Sequence, residues 1–180
     1  GEKVLIIGAS GGVGTFAVQI AKAFGAEVTG VCSTPNLDLV RSIGADHVID
    51  YTQEDFTKNG QSYDLILDMA GSQPVSEYRQ ALSRDGTLVM VGSSGSASSH
   101  PYMRGLGRWF SALVLSVLGR QKLHGMLSTR RQTDLVAVKD LIEAEKLTPV
   151  VSACYPLSEA PEAIRHADEG HTRGKVVITV

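Results

Sequence analysis

Four apolar residues in succession, Val4-Leu5-Ile6-Ile7, come almost at the start of the chain, as expected of a strand buried on both faces. The period then changes. Val13, Phe16, Ala17, Ile20, Ala21 and Phe24 recur at three- and four-residue intervals. That spacing predicts a helix over 12–25 with this stripe inward and Gly25 at its end. Residues 27–32 read as a second strand. Thr34-Pro35 opens a second helix, with Pro35 in its first turn, Leu37, Val40 and Ile43 as its stripe, and Gly44 as its stop. Strands follow at 47–50 and 63–69. Pro74 starts a helix carrying Val75, Tyr78 and Leu82, and 87–91 is a fifth strand.

The rhythm breaks over 92–104, where a serine- and glycine-rich loop is longer than an ordinary connection. Residues 108–118 resemble an apolar helix. A sixth strand is expected at 122–128, then a helix over 132–145 with Leu135, Val138 and Ile142 inward. The tail repeats the theme once: strand from 150, helix from Ser158, strand from Lys175. Short strands alternating with helices imply βαβ units. The expected fold is therefore α/β, a doubly wound parallel sheet of about six strands with helices on both faces. A C-terminal strand-helix-strand return segment follows it. The division reads as a domain over 1–149 and a segment over 150–180.

Composition narrows the class. The 180 residues carry 43% hydrophobic and 20% charged side chains, which suits a globular core and not a disordered chain. A net charge of −2 argues against a nucleic-acid partner. The longest apolar stretch, 109–118, is about half the ~20 residues a membrane span needs, and no membrane association is expected. Cys32 and Cys154 have no neighbours at metal-ligand spacing, so no metal is expected, and a cytoplasmic, reducing setting is the default.

Glycine is the outlier, with 19 copies. Gly8-Ala9-Ser10-Gly11-Gly12-Val13-Gly14 directly follows the first strand and opens the first helix. Glycines there permit a tight turn and let the backbone approach a pyrophosphate, whose charge meets the free N–H groups of the helix. A turn needed only for close helix–strand packing is the competing reading. A P-loop would require Gly-Lys-Ser/Thr, and Gly14 is followed by Thr15-Phe16. NAD-selective sites place an acid about 20 residues beyond the glycines, on the ribose 2′-hydroxyl. Here the segment reads Cys32-Ser33-Thr34-Pro35-Asn36, with Asp38 already inside the helix. Hydroxyls and an amide can donate to a 2′-phosphate, and Tyr51 at the end of the third strand should lie beside them. NADP(H) is favoured over NAD(H). Arg41 is a candidate cation there, although a solvated helix face explains it as well.

The chain resembles the medium-chain dehydrogenase/reductase superfamily, in its zinc-independent quinone oxidoreductase branch. The glycine turn carries the resemblance, together with Ala21-Lys22-Ala23-Phe24-Gly25-Ala26, Gly44-Ala45-Asp46-His47-Val48-Ile49-Asp50-Tyr51 and Gly174-Lys175-Val176-Val177-Ile178. The resemblance implies a Rossmann fold and NAD(P)H-dependent reduction of quinones, enones or related carbonyls. It implies that Ser33, Asn36 and Tyr51 surround the 2′-phosphate. It further implies that Ala70, Gly71, Gly92 and Ser93 line the ribose and nicotinamide, and that Ser128 meets the carboxamide end. Family members place a catalytic domain before the cofactor domain. The chain therefore reads as the cofactor-binding part of a larger oxidoreductase, and a stand-alone nucleotide-binding or redox-sensing module is the alternative. The resemblance also implies a homodimer in which two copies of the 122–128 edge strand meet.

No proton donor stands out. His100 and Tyr102 fall in the serine loop, His166 and His171 are too far apart in helical phase to share a metal, and His47 and His124 read as structural. A short-chain dehydrogenase would need Tyr-x-x-x-Lys, and none of the five tyrosines has a lysine four residues on.

Overall fold

The computed structural model describes residues 1–71, 73–91, 120–126, 129, 131–168 and 172–180. Strand β1 (Lys3–Ile7) leads through the glycine turn into helix α1 (Gly14–Ala23). Then come β2 (Glu27–Cys32), a 3-10 turn at Thr34–Asn36, α2 (Leu37–Ser42) and β3 (His47–Asp50). The second half of the sheet holds β4 (Tyr63–Asp68), α3 (Val75–Ala81), β5 (Leu82–Val91) and β6 (Lys122–Met126). Helix α4 (Gln132–Glu143), β7 (Val151–Pro156), α5 (Ala160–Asp168) and β8 (Lys175–Thr179) complete the chain.

Six strands form one sheet in the order β3-β2-β1-β4-β5-β6, and every pairing is parallel. This is the doubly wound α/β arrangement expected from the alternating pattern. Successive side chains of a strand face opposite sides. Leu5 and Ile7 enter one core with Val31, Ile66, Tyr78 and Leu88, while Val4 and Ile6 enter the other with Val18, Val28 and Val40. Burial on both sides explains why β1 reads as an unbroken apolar run.

The sheet reverses direction of growth between β1 and β4, and a crevice opens there at the carboxyl ends of the strands. Among the described residues, strands β7 and β8 pair only with each other, in a separate two-stranded parallel sheet.

Three expectations change. The α1 stripe is rotated: Gly14, Thr15, Val18 and Gln19 are buried, while Val13 and Phe24 are 54% and 81% exposed. Gly14, Thr15 and Val18 are small, and the Gln19 amide is matched by the Thr148 backbone, which hydrophobicity alone does not register. β5 begins at Leu82 instead of 87, because Leu82 pairs with Tyr63 before a register shift brings Thr87 beside Leu65. The Gln121 amide also donates to the carbonyls of Arg79, Leu82 and Ser83, holding that polar stretch. In α4 no residue is buried, and Leu135 and Ile142 face outward. The expected loop over 92–104 and helix over 108–118, and positions 127 and 128 of the sixth strand, lie outside the described residues.

Candidate functional site

Gly8 ends β1 with φ +84°, a conformation that side-chain-bearing residues rarely adopt. The turn it starts is held by the N–H groups of Gly8 and Ala9, both donating to the Val31 carbonyl, and by Gly11 N–H donating to Gly8 O. A Cβ on Gly14 would fall onto the Gly8 carbonyl oxygen and within 2.7 Å of Ala9 Cα, so α1 starts against its own incoming strand. No side chain caps α1 and no acid occupies its first turn. Thr15 N–H donates back to Gly11 O at 3.0 Å, and the first-turn N–H groups without such a partner among the described residues are available to an anion.

A cleft of about 370 Å³ lies over this turn. Gly8, Ser10, Gly11, Gly12, Val13 and Gly14 form its floor, Ser33, Asn36 and Tyr51 one end, and Ala70 another wall. The structure thus brings together ten residues singled out in the sequence. Cys32, Met69 and Thr172 also line it, and the sequence reading missed all three. Cys32 and Met69 directly precede the predicted residues Ser33 and Ala70, so counting one residue back toward each strand finds them. Thr172 arrives from the far end of the chain and leaves no local signal.

At the Ser33 end, the Asn36 amide donates from Nδ2 to Ser33 Oγ at 3.0 Å. Asn36 Oδ1 is buried and has no partner among the described residues. Thr34 is engaged elsewhere. Its hydroxyl donates to Asp50 Oδ2 at 2.5 Å, 3.2 Å from Thr52 Oγ1, and it does not line the cleft. The Thr34 hydroxyl, then the Thr52 hydroxyl and amide, hold the Asp50 carboxyl below its usual range. Gly71 is likewise absent from the lining; its N–H donates to Asp68 Oδ1 at 2.7 Å, beside the Ala70 N–H at 3.2 Å. Arg41 is exposed and paired with Asp38 at 3.2 Å, as a solvated helix face would have it. Burial above all, with the Asp50 charge adding to it, pushes the Cys32 thiol up to about 11. Gly92, Ser93 and Ser128 lie outside the described residues, as do His100, Tyr102 and His171.

The other histidines have local partners or open surroundings. His47 is 3.2 Å from Glu27, His166 Nδ1 is 3.0 Å from the Tyr155 hydroxyl, and His124 is exposed on β6. Among the described residues no three His, Cys, Asp or Glu side chains come together as a metal site. No helix among them is long and apolar enough to cross a membrane.

A second feature of the cleft is the return segment. Gly174 N–H donates to Ser10 O at 2.9 Å, inside the glycine turn. Lys175 carries its ammonium 5.8 Å above the Phe16 ring centroid. A Cβ on Gly12 would stand 3.2 Å from that Nζ, so a cation flanks the turn where the N–H groups are available.

The pattern of the zinc-binding dehydrogenase family matches residues 43–178. The chain belongs to this family. It is 35% identical over 198 residues to the mitochondrial NAD(P)H oxidoreductase RTN4IP1 of Mus musculus, covering 100% of this chain and 48% of that protein. A chloroplast envelope quinone oxidoreductase homolog of Arabidopsis thaliana is 29% identical over 179 residues, covering 97% of this chain and 51% of the relative. Among solved structures, the quinone oxidoreductase from Coxiella burnetii superposes with a TM-score of 0.81 at 28% identity, over 100% of this chain and 53% of that one. The zinc-binding dehydrogenase chain thus spans about half the length of the relatives it matches. Its medium-chain dehydrogenase/reductase character and its Rossmann-like sheet agree with the sequence resemblance. The family's name implies zinc, but the described residues supply no ligand set for it.

Proposed function

We propose that this chain is the cofactor-binding part of an NAD(P)H-dependent oxidoreductase that passes hydride to a quinone, enone or other carbonyl without zinc. The observation that carries this reading is the single cleft joining the glycine turn, the Ser33–Asn36–Tyr51 end and Ala70 at the carboxyl ends of the strands. The family and the names of the relatives support it.

In this reading the pyrophosphate binds those N–H groups of the turn and of the first turn of α1 that are not spent on Val31 O, Gly8 O and Gly11 O, and Lys175 neutralises part of its charge. Ser33, Asn36 and Tyr51 take the 2′-phosphate, with the unpartnered Asn36 Oδ1 accepting from the adjoining ribose. Ala70 lines the path toward the reactive ring. The bound nicotinamide supplies the hydride. The protein's part is to hold it in place and keep its anionic half neutralised. Residues 1–149 are the cofactor domain and 150–180 the segment returning toward a catalytic domain. The unpaired cysteines favour a reducing compartment, and the cytoplasm is the one proposed.

Titration of the chain with NADPH and NADH, followed by nicotinamide fluorescence, tests the reading. Saturable binding with the smaller dissociation constant for NADPH is expected. Tighter NADH binding overturns the 2′-phosphate assignment, and no saturable binding of either overturns the site.

A further inference from the structure

We infer that Gln19 is a positioning residue for the dinucleotide site, acting through a hydrogen-bonded belt that fastens the return segment onto the glycine turn. The inference rests on the reading of the cleft given above and concerns a residue that does not line it.

Gln19 is polar, sits in the middle of α1 and is only 8% exposed. A buried amide is costly unless its donors and acceptor are matched. Here they are matched by backbone 129 positions away. Gln19 Nε2 donates to Thr148 O at 3.0 Å, and Gln19 Oε1 accepts from Thr148 N–H at 2.7 Å. The remaining Nε2 hydrogen reaches Thr15 O at 2.9 Å, one turn back in α1. The side chain thus pairs with Thr148 as a neighbouring strand would. Leu147, the residue before it, is 2% exposed, although α4 just upstream buries nothing. The chain is anchored at this point after a helix that is not.

From Thr148 the belt runs on. Val150 O accepts the Lys175 N–H at 2.8 Å, and Gly174 N–H donates to Ser10 O at 2.9 Å. Gly174 has φ +79°, and a Cβ there would collide with the Val150 carbonyl oxygen, so only glycine lets the segments lie this close. The belt leaves α1 at Gln19 and comes back to Ser10, in the turn just before α1. Thr172 in the cleft and the Lys175 ammonium beside Gly12 are carried by the strand end that the belt places. A polar residue on the buried face of α1 is thereby accounted for: it sets where the return segment meets the phosphate turn.

Binding and docking of the segment are then linked, and linkage is reciprocal. The test uses the chain as it stands, with three species: unsubstituted, Gln19→Leu and Gly174→Ala. The second variant loosens the same belt from its far end without touching the core of the sheet. NADPH is expected to slow hydrogen exchange in 150–156 and 172–180 of the unsubstituted chain. Each variant is expected to speed exchange there, leave β1, β2 and β4 as protected as before, and raise the NADPH dissociation constant about tenfold. Unchanged exchange in the return segment, or faster exchange there with NADPH binding within about twofold of the original, overturns the inference. Equal loosening of β1, β2 and β4 overturns it too, since Gln19 would then be a general stabilising residue. If Gln19→Leu does not fold, Gly174→Ala decides alone. Absence of NADPH binding by the unsubstituted chain is a separate result, which removes the dinucleotide reading itself.

Discussion

Gly14 shows how one atom decides the site. A methyl group there would overlap the backbone of Gly8 and Ala9, so α1 could not begin where it does. Gly14→Ala is expected to cost about 1–3 kcal/mol through overpacking and to abolish saturable NADPH binding. Thermal denaturation and a fluorescence titration would check both, and a variant binding as tightly as the original would show that the close approach is dispensable. Cys32 carries the opposite message. It lines the cleft, yet burial and the Asp50 charge raise its thiol to about 11, which leaves little thiolate at neutral pH. Exposed Cys154 should therefore react with a thiol reagent well before Cys32. Mass spectrometry after brief alkylation would detect the order, and faster labelling of Cys32 would contradict the assigned environment.

Elements are tied together here by polar groups that hydrophobic patterning passes over. Asp46, just before β3, accepts the Val28 N–H of β2 at 2.7 Å and both contacts of the Lys22 ammonium from α1 at 2.8 Å. The Lys22 hydrogen bond first, then the Val28 N–H, hold its carboxyl below the usual range. A carboxyl with a lowered native pKa stabilises above its unfolded value and loses that contribution as pH falls through the native one. Asp46→Asn should therefore be less stable than the original at pH 7. With the pair about one-third exposed, solvent screening limits the deficit to about 1 kcal/mol or less. The deficit should shrink as pH drops below about 4. Urea denaturation at pH 7 and pH 3 would measure it, and an equal gap at both values would mean the charge is irrelevant. The same blindness to polar ties explains where the sequence misled. The buried face of α1 departs from its apolar stripe because it includes Gln19, a polar residue whose amide is matched by distant backbone. The Thr34 hydroxyl is engaged by Asp50, sixteen residues later, a tie that the local sequence does not display.

At the scale of the molecule, β6 is one edge of the six-stranded sheet among the described residues, and Lys122, His124, Gly125 and Met126 along it are exposed. An open edge is a template for pairing, and two copies related by a two-fold axis would satisfy it. A homodimer through 122–128 is expected, and light scattering at micromolar concentration giving a monomer mass would exclude it. Helix α4 and the β7–β8 sheet also leave apolar residues uncovered, among them Leu135, Val151 and Ile178.

Sequence alone determined the parallel sheet, the position of the glycine turn and the residues at the strand ends that face it. Those features are local: a strand's burial shows in its apolar run, a phosphate turn in the spacing of its glycines, and a strand end in the residue after it. Tertiary structure decided which hydroxyls are engaged, which face of α1 is inward, and that Thr172, Gly174 and Lys175 meet the turn. These depend on partners up to 129 positions away. A hydrogen bond to distant backbone leaves no period in the sequence, because the donor is specified by type and the acceptor by the fold.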